Sequence, residues 1–397
     1  MPRFYFDHNS TTPLHPEVVA DMVAVLGATP GGPAPGRQVP GGPSGFGNPS
    51  SLHWAGREAR RLIEDARESL AHLIAVDPGE IVFTSGGTEA DNLAILGAAS
   101  SGRLRSRHLV AASFEHPAVL EAFRKLEVEG WDVTWIDPDG DGVVRVETVE
   151  RALRNDTALV SVMAANNETG AVQPIAGIGG LLRGRGILFH CDGVQALGKL
   201  PGVRPREWQV DYLALSAHKI NGPKGVGALY VRKGAPMQGL NLGGPQERQS
   251  RGGTENVPGI VGFGKAVEIW ARIGDAERTR MAGLRDALEA ALRKDIPDLI
   301  VNAGSAERIP NTLNVTLPGC KADLLVLGLD MREVAVSAGS ACASGSVKYS
   351  HVLLAMGKGK EAAASALRFS LGLGNTEAEI APMAVMVAEV AASVRGM

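Results

Sequence analysis

The chain has 397 residues, of which 44% are hydrophobic and 21% are charged, and its formal net charge is -3. The length favours two packed domains, and the composition is that of a globular protein in water. The small net charge gives no reason to expect nucleic acid or an anionic membrane as a partner, and no apolar run approaches the ~18 residues that a membrane span needs.

The N-terminal residues and the cysteine content favour a reducing, cytoplasmic location. Residues 1–8 contain no long apolar stretch of the kind that a secretory signal carries. The three cysteines do not make a disulfide framework, and without a C-x-x-C pair no metal site is expected. Cys191 ends an apolar run and Cys320 follows a Pro-Gly turn, so we expect both to be structural.

The first predicted elements are a polar turn, a helix, a loop and a second helix. Residues 7–13 are predicted to cap a helix that begins near Pro16. Residues 30–49 hold six prolines and seven glycines, which predicts a mobile surface loop over residues 28–44. A tolerated insertion is favoured over a lid. Residues 57–75 carry apolar side chains at helical spacing and predict an amphipathic helix.

A candidate phosphate site follows the first predicted sheet strand, residues 81–84. The strand breaks into Ser-Gly-Gly-Thr at residues 85–88, and a helix is predicted from Glu89. Free backbone N–H groups at a helix N-terminus favour an anion, so Gly87 and Thr88 are candidate ligands. The pattern is neither G-x-G-x-x-G nor a P-loop, which disfavours a dinucleotide or a nucleoside triphosphate.

The remaining strands alternate with helical stretches, which predicts a mainly parallel sheet covered on both faces. These strands are predicted at residues 108–111, 133–136, 158–162, 187–190, 212–215 and 226–231. Ligands of such sheets bind at the carboxyl ends of the strands, so the polar residues that follow each strand are the candidate site. They are Thr88, Glu115, His116, Asn166, Asn167, Glu168, Asp192, Gln195 and the residues from Ser216 to Lys219.

Lys219 is the centre of this candidate site. A lysine at a strand end can form a Schiff base with an aldehyde cofactor, while its neighbours Ser216 and His218 hold the phosphate of that cofactor. Asp192, after a buried strand, needs a cationic partner such as a protonated pyridine nitrogen. The alternative for Lys219 alone is a solvated turn lysine.

Three more side chains suit the same cofactor. His116 can lie over a ring and move protons near neutral pH, and Asn167 and Gln195 can donate hydrogen bonds to a phenolate oxygen. Each also has a plain alternative, since His116 before a proline is compatible with a turn and Asn167 with an ordinary loop.

With these residues in place, the chain resembles the cysteine desulfurases of the NifS/IscS kind, in the fold type I group of pyridoxal-phosphate enzymes. The matching segments run in family order through nearly the whole chain, at residues 7–13, 45–51, 84–92, 115–116, 166–170, 192–198, 216–227, 251–254, 337–344 and 368–370.

The resemblance implies a role for each matching residue. Lys219 would hold pyridoxal phosphate covalently and Asp192 would pair its pyridine nitrogen, with His116 stacked on the ring and Gln195 and Asn167 at the ring oxygen. Thr88, Ser216 and His218 would bind the phosphate together with Thr254 of a second subunit, which implies a homodimer. Arg368 would bind the substrate carboxylate.

The resemblance also makes Cys342 the residue that takes sulfur from L-cysteine, leaving L-alanine and a persulfide. All residues from 337 to 346 are Ser, Ala, Gly or Cys, which predicts a mobile segment, and a nucleophilic cysteine needs such access. The Ser-x-Gly-Ser-Ala-Cys pattern is similar to the long-loop branch of the family, which passes sulfur to proteins such as iron–sulfur scaffolds. The tract of residues 30–43 departs from the family by roughly a dozen extra residues.

The resemblance thus implies an α/β fold with a large domain at residues 17–270, built on a mainly parallel seven-stranded sheet between helices. Residues 1–16 and 271–397 would form a smaller α/β domain that supplies Cys342 and Arg368. Alternative functions are a selenocysteine lyase, a pyridoxal-phosphate aminotransferase, which would leave Cys342 without a role, and a non-catalytic sulfur-relay subunit.

Overall fold

The computed structural model describes residues 3–27, 45–104, 106–339 and 349–396. The predicted loop of residues 28–44 and the cysteine at position 342 lie outside these residues. The strands are β1 Phe4–Tyr5, β2 Ile81–Thr84, β3 His108–Ala112, β4 Asp132–Ile136, β5 Thr157–Ser161, β6 Leu188–Asp192, β7 Tyr212–Ser216, β8 Gly227–Val231, β9 Ile300–Val301, β10 Thr312–Thr316, β11 Val334–Ala335, β12 Ser337–Ala338 and β13 Ala366–Ser370.

The structure describes eleven α-helices, which alternate with the strands through the first half of the chain. They are α1 Pro16–Leu26, α2 Trp54–Ile74, α3 Gly87–Ser100, α4 Pro117–Val128, α5 Val146–Ala152, α6 Ile175–Arg185, α7 Val257–Asp295, α8 Ala322–Asp330, α9 His351–Ala355, α10 Gly359–Ala364 and α11 Ile380–Arg395. In the described part of the chain, no helix is long and apolar enough to cross a membrane.

The central sheet has seven strands in the order β2-β8-β7-β6-β5-β3-β4. β8 runs antiparallel to both of its neighbours, and the other strands pair in parallel. The predicted fold, a mainly parallel seven-stranded sheet between helices, is confirmed. Short apolar runs separated by helices form such a sheet because its inner strands are buried on both faces, whereas the edge strand β4 is partly exposed.

Side chains of β3 show how the two faces are covered. Val110 and Ala112 belong to one apolar cluster with residues of α2 and α7, while Leu109 and Ala111 belong to another with residues of α3 and α4. Alternate side chains of a strand point to opposite faces, so one strand contributes to both cores.

A smaller antiparallel sheet, with strand order β12-β13-β10-β9, lies in the second half of the chain. Its core contains Leu288, Phe369 and Val387, and it also includes Phe6 from the N-terminus. Strand β1 pairs in parallel with β11. Helix α7 contributes residues up to Met281 to the large-sheet core and Leu284 to Leu292 to this second core. The expected domain boundary at Trp270 falls inside α7 and stays a prediction.

Helix α1 begins at Pro16 as predicted, but its cap and the start of α3 differ from the prediction. Helix α1 is capped by His15, whose Nδ1 accepts from the Glu17 N–H at 3.3 Å, and not by residues 7–13. Those residues instead form hydrogen bonds with distant parts of the chain. Helix α3 begins at Gly87, before Glu89. A Cβ on Gly87 would lie 2.6 Å from Val194 Cγ2, so this helix can start beside the sheet only without a side chain there.

Candidate active site

A cavity of about 680 Å³ lies at the carboxyl ends of the large-sheet strands. The predicted residues that line it are Gly87, Thr88, His116, Asn167, Asp192, Gln195, Ser216, His218, Lys219 and Arg368. The strand ends converge there because neighbouring parallel strands finish at the same edge. Arg368 reaches the cavity from the smaller sheet.

Lys219 ends a short 3₁₀ turn, residues Ala217–Lys219, directly after β7. Its Nζ donates to the backbone oxygens of Asn9 at 2.6 Å and Ser10 at 2.8 Å. The N-terminal loop, residues 7–13, is thus part of the site.

The turn after Lys219 is held by the same loop. Thr12 N donates to the backbone oxygen of His218 at 2.9 Å, and Thr12 Oγ1 accepts from the Asn221 N–H at 2.7 Å. Asn221 has a φ of 64°, a conformation that asparagine tolerates better than most residues. Hydrogen bonds to Thr12 therefore hold the backbone on both sides of Lys219, at His218 and at Asn221.

Asp192 is the last residue of β6, is buried, and accepts a hydrogen bond from the Val194 N–H at 2.8 Å. Burial raises its pKa, and the charge of His116 acts in the opposite direction. Burial, together with the charge of Asp192, holds the pKa of Asp91 and of Glu115 well above the usual range. The charge of Lys219 also lowers the pKa of Asp192, and a cationic ring nitrogen would suit this buried carboxylate in the same way.

His116 is the N-cap of α4, and its Nδ1 accepts from the Ala118 N–H at 3.1 Å. This bond assigns the proton of the neutral ring to Nε2. Burial lowers the pKa of His116, so the ring is neutral near pH 7. The turn and site interpretations of His116 are therefore compatible, because the capping residue also lines the cavity.

The residues that are predicted to bind the phosphate lie at the start of α3 and the end of β7. Ser216 Oγ is buried and lacks a hydrogen-bond partner in the part of the chain that is described. Burial and the charge of Lys219 lower the pKa of His218 to about 4, so His218 is neutral, and its Nδ1 lies 3.2 Å from Thr11 Oγ1. An orphaned hydroxyl beside a helix N-terminus without a side chain at Gly87 fits a phosphate.

These observations together fit pyridoxal phosphate. Asp192 would face its ring nitrogen, Lys219 its aldehyde, and Gly87, Thr88 and Ser216 its phosphate. The donor set matches the group at each of these positions.

Arg368 lies in β13 and is buried. Its Nη1 donates to the Asn167 backbone oxygen at 3.0 Å, and its Nη2 donates to Asp7 Oδ1 and to Ser10 Oγ, both at 2.7 Å. Its Nε is buried without a described hydrogen-bond partner, as is Asn167 Oδ1. The guanidinium is therefore held in place from one side and can take a carboxylate on another.

One predicted residue among those that the structure describes, Thr254, is not brought into the cavity. Thr254 is exposed and lines a separate cavity of about 100 Å³ with Arg251 and Glu255. Cys342 lies outside the described residues, but Gly339 and Tyr349, on either side of the segment 340–348, both line the main cavity.

Several residues of the site were not assigned a role from sequence. Asp91, Asn9 and Lys199 gave no strand-end signal, whereas Glu115 and Glu168 follow strands but have no place in the implied cofactor contacts. Lys199 lies four residues after Gln195 and donates to its Oε1. That i, i+4 spacing is the one signal that links Lys199 to the site.

Comparison with known proteins, by family model and by sequence, agrees with the family resemblance described above. Residues 43–383 match the family model described as aminotransferase class-V. The chain is 43% identical over 396 residues to a protein named cysteine desulfurase IscS from Anaeromyxobacter sp. (strain Fw109-5), which covers 99% of this chain and 93% of the relative.

Solved structures agree with this match. A NifS-like protein superposes with a TM-score of 0.88 at 36% identity, covering 99% of this chain and 100% of the other. A structure described as SspA in complex with cysteine has a TM-score of 0.77 at 34% identity, covering 93% of this chain and 99% of that one.

Proposed function

The chain belongs to the cysteine desulfurase family within the class-V aminotransferases, and from that premise we propose that it takes sulfur from L-cysteine, leaving L-alanine and a persulfide on Cys342. The single observation that carries the proposal is the convergence of Lys219, Asp192 and His116 on one cavity with Arg368. The related structure with bound cysteine supports the choice of substrate.

Pyridoxal phosphate, the cofactor of this family, withdraws electrons from the bonds around the substrate Cα when it is bound. The residues of the chain then act on the substrate. Arg368 Nε and Asn167 bind and orient the α-carboxylate. Lys219 Nζ, as an uncharged amine held by the backbone oxygens of Asn9 and Ser10, takes the proton from Cα. His116 Nε2 carries a proton in a fixed tautomer and can exchange it at the substrate.

The sulfur step is assigned to Cys342. Its thiolate Sγ attacks the sulfur of the substrate, an S–S bond forms, and the Cβ–S bond of the substrate breaks. The electron pair of the broken bond stays with the carbon, which gains a proton and becomes the methyl group of alanine. The position of Gly339 and Tyr349 at the cavity supports this assignment, because the segment between them joins two residues of the cavity wall.

A homodimer is part of the proposal. Thr254 is exposed and outside the main cavity of its own chain, so a phosphate contact from Thr254 requires a second copy. We also propose an acceptor protein for the persulfide sulfur, such as an iron–sulfur scaffold. A reducing, cytoplasmic location is supported by Cys191 and Cys320, which are free thiols.

The test is alanine formed from L-cysteine and, in parallel, from L-selenocysteine. The parent chain is expected to form alanine from cysteine, and Cys342→Ala to lose this activity while Ser344→Ala keeps it. Lys219→Ala is expected to lose both the visible absorbance of the cofactor linkage and turnover, with the exposed Lys360→Ala as control.

Other outcomes would identify the alternatives. Alanine from selenocysteine alone, retained in Cys342→Ala, would make the protein a selenocysteine lyase. A chain that binds no cofactor and only accepts sulfur from another enzyme would be a sulfur-relay subunit.

A further inference from the structure

Lys199 is a buried lysine behind the cavity, with 3% of its surface exposed. Its Nζ donates to Asn9 Oδ1 at 3.0 Å and to Gln195 Oε1. Burying an amine is costly unless its hydrogen bonds are made, and here both acceptors are side chains that reach the active site. No step proposed above uses this residue.

The two amides that Lys199 contacts have fixed orientations. Asn9 Nδ2 donates to the backbone oxygen of Asn167 at 3.2 Å and to Thr312 Oγ1 at 2.7 Å, which turns Asn9 Oδ1 towards Lys199. Gln195 Nε2 donates to the backbone oxygen of Asn9 at 3.0 Å, which turns Gln195 Oε1 towards Lys199. A carbonyl oxygen only accepts, so neither amide can flip without losing a buried bond.

The chain of contacts ends at the lysine of the active site. The Asn9 backbone oxygen accepts from Gln195 Nε2 and also from Lys219 Nζ, at 2.6 Å. The proton affinity of Lys219 therefore depends on how strongly Gln195 occupies that oxygen, and Lys199 holds Gln195 in the orientation that does so.

We propose that Lys199 is a positioning residue that holds Gln195 and Asn9 in place and through them sets the proton affinity of Lys219 Nζ. The inference rests on the proposed function, because it treats Lys219 as the cofactor-binding lysine. Asp192, His116, His218 and Lys199 are titratable groups that interact electrostatically with Lys219.

The electrostatic surroundings favour action through hydrogen bonds. Lys219, Arg368 and His8 face Lys199. Burial, with the charges of Lys219 and Arg368, holds the pKa of Lys199 well below its usual range. An uncharged amine still supplies the two N–H donors that Asn9 and Gln195 require.

The test is a pH titration of the visible absorbance of the holoenzyme, which follows protonation at Lys219 without turnover. Lys199→Met removes both donors and frees Gln195 to leave the Asn9 oxygen, so the midpoint is expected to rise by about 0.5–1 pH unit. Gln195→Met is expected to raise it similarly, and the double variant no further than the larger single change.

An unmoved midpoint in Lys199→Met, or a double variant that shows the full sum of both shifts, would overturn the proposal. If Lys199→Met does not fold, Lys199→Gln compared in the parent and Gln195→Met backgrounds decides in the same way. Failure of the proposed function looks different, because the parent chain itself would then show no Lys219-dependent absorbance.

Discussion

Glu168 lies buried at the edge of the cavity, where its Oε2 accepts from Ser350 Oγ and lies 2.5 Å from the position of a Cβ on Gly339. Burial raises the pKa of Glu168 to about 7 from its ordinary value of 4.5, although Ser350 and Arg368 act in the opposite direction. Between these two values the folded chain holds a proton that the unfolded chain has lost. The contribution of Glu168 to stability is therefore present at low pH and is lost as the pH rises to 7.

Glu168→Gln should remove this titration while keeping an acceptor for Ser350. Relative to the parent, its free energy of unfolding is expected to increase by up to about 3 kcal/mol between pH 5 and pH 8. Urea unfolding of both apoproteins at the two pH values measures the difference, with the exposed Glu361→Gln as control. An identical effect of Glu168→Gln at both pH values would mean that the carboxyl does not titrate in this window.

At this scale the sequence predicts the residues that follow strands and misses those that depend on distant contacts. Asp192 ends β6 and Lys219 ends the short turn directly after β7, so the hydrophobic pattern locates both. Lys199 is buried because it meets Asn9, 190 residues away, and no local pattern carries that contact. Glu168 was visible as a polar residue, but its raised pKa follows from burial that only the fold supplies.

In helix α4, His116 combines a structural role as the cap with its proposed catalytic role. The Nδ1 of His116 caps the helix by accepting from the Ala118 N–H, while Nε2 is left for the site. Pro117 at the first helical position needs no N–H partner and suits the helix start.

Substitutions of His116 should separate these two requirements. His116→Asn keeps a capping acceptor and should retain about 1 kcal/mol of stability that His116→Ala loses. Both should lose alanine formation by roughly 10²-fold or more, because neither has the ring. Urea unfolding and alanine assays measure the two effects, and a fully active His116→Asn would show that the ring has no catalytic role.

The start of α3 should be sensitive to a single methyl group. In Gly87→Ala the new Cβ would meet Val194 Cγ2 at 2.6 Å, and strain of about 1–3 kcal/mol would displace the helix start from the phosphate. Cofactor affinity, measured by absorbance, is expected to fall about tenfold or more. Val194→Ala should restore it in the double variant, and Gly184→Ala, where a Cβ has open space, is the control. No rescue by Val194→Ala would place the cause elsewhere.

The elements of the large sheet were predictable because each strand is a short apolar run with turns at its ends. The exact start of α3 was not, since the contact of Gly87 with Val194 decides it. The smaller sheet was expected only as an α/β unit, because two of its strands, β9 and β12, have two residues each and carry no periodic signal.

Across the whole molecule, buried histidines oppose the buried carboxyls in their response to pH. Burial lowers the pKa of His8 to about 4 and of His190 to about 3. The unfolded chain binds protons at these positions below about pH 6.5 and the folded chain does not. Their contribution to stability is therefore present above pH 6.5 and is lost as the pH falls, whereas that of Glu168 is lost as the pH rises.

His190→Gln should remove the contribution of one buried histidine to the pH dependence of stability. The substitution is expected to destabilise the chain at pH 7, because His190 Nδ1 lies 2.8 Å from Ser161 Oγ in the core. The destabilisation should be about 2 kcal/mol smaller at pH 5. At that pH the parent is itself less stable, because His190 stays neutral in the folded chain and is protonated in the unfolded chain. Urea unfolding at both pH values tests this, with the exposed His72→Gln as control. A difference that does not change with pH would contradict the assignment.

The contact between the two ends of the chain has a consequence for biosynthesis. The Asn9 N–H donates to Ser370 Oγ across 361 residues, and Asn9 is also the residue whose carbonyl holds Lys219. At about 5–20 residues per second, a ribosome makes Ser370 roughly 20–70 s after Asn9. Lys219 is made well before Ser370. Until Ser370 is made, the loop of residues 7–13 that holds Lys219 lacks its hydrogen bond to β13. We therefore expect cofactor capture in the native geometry to wait until the last moments of translation.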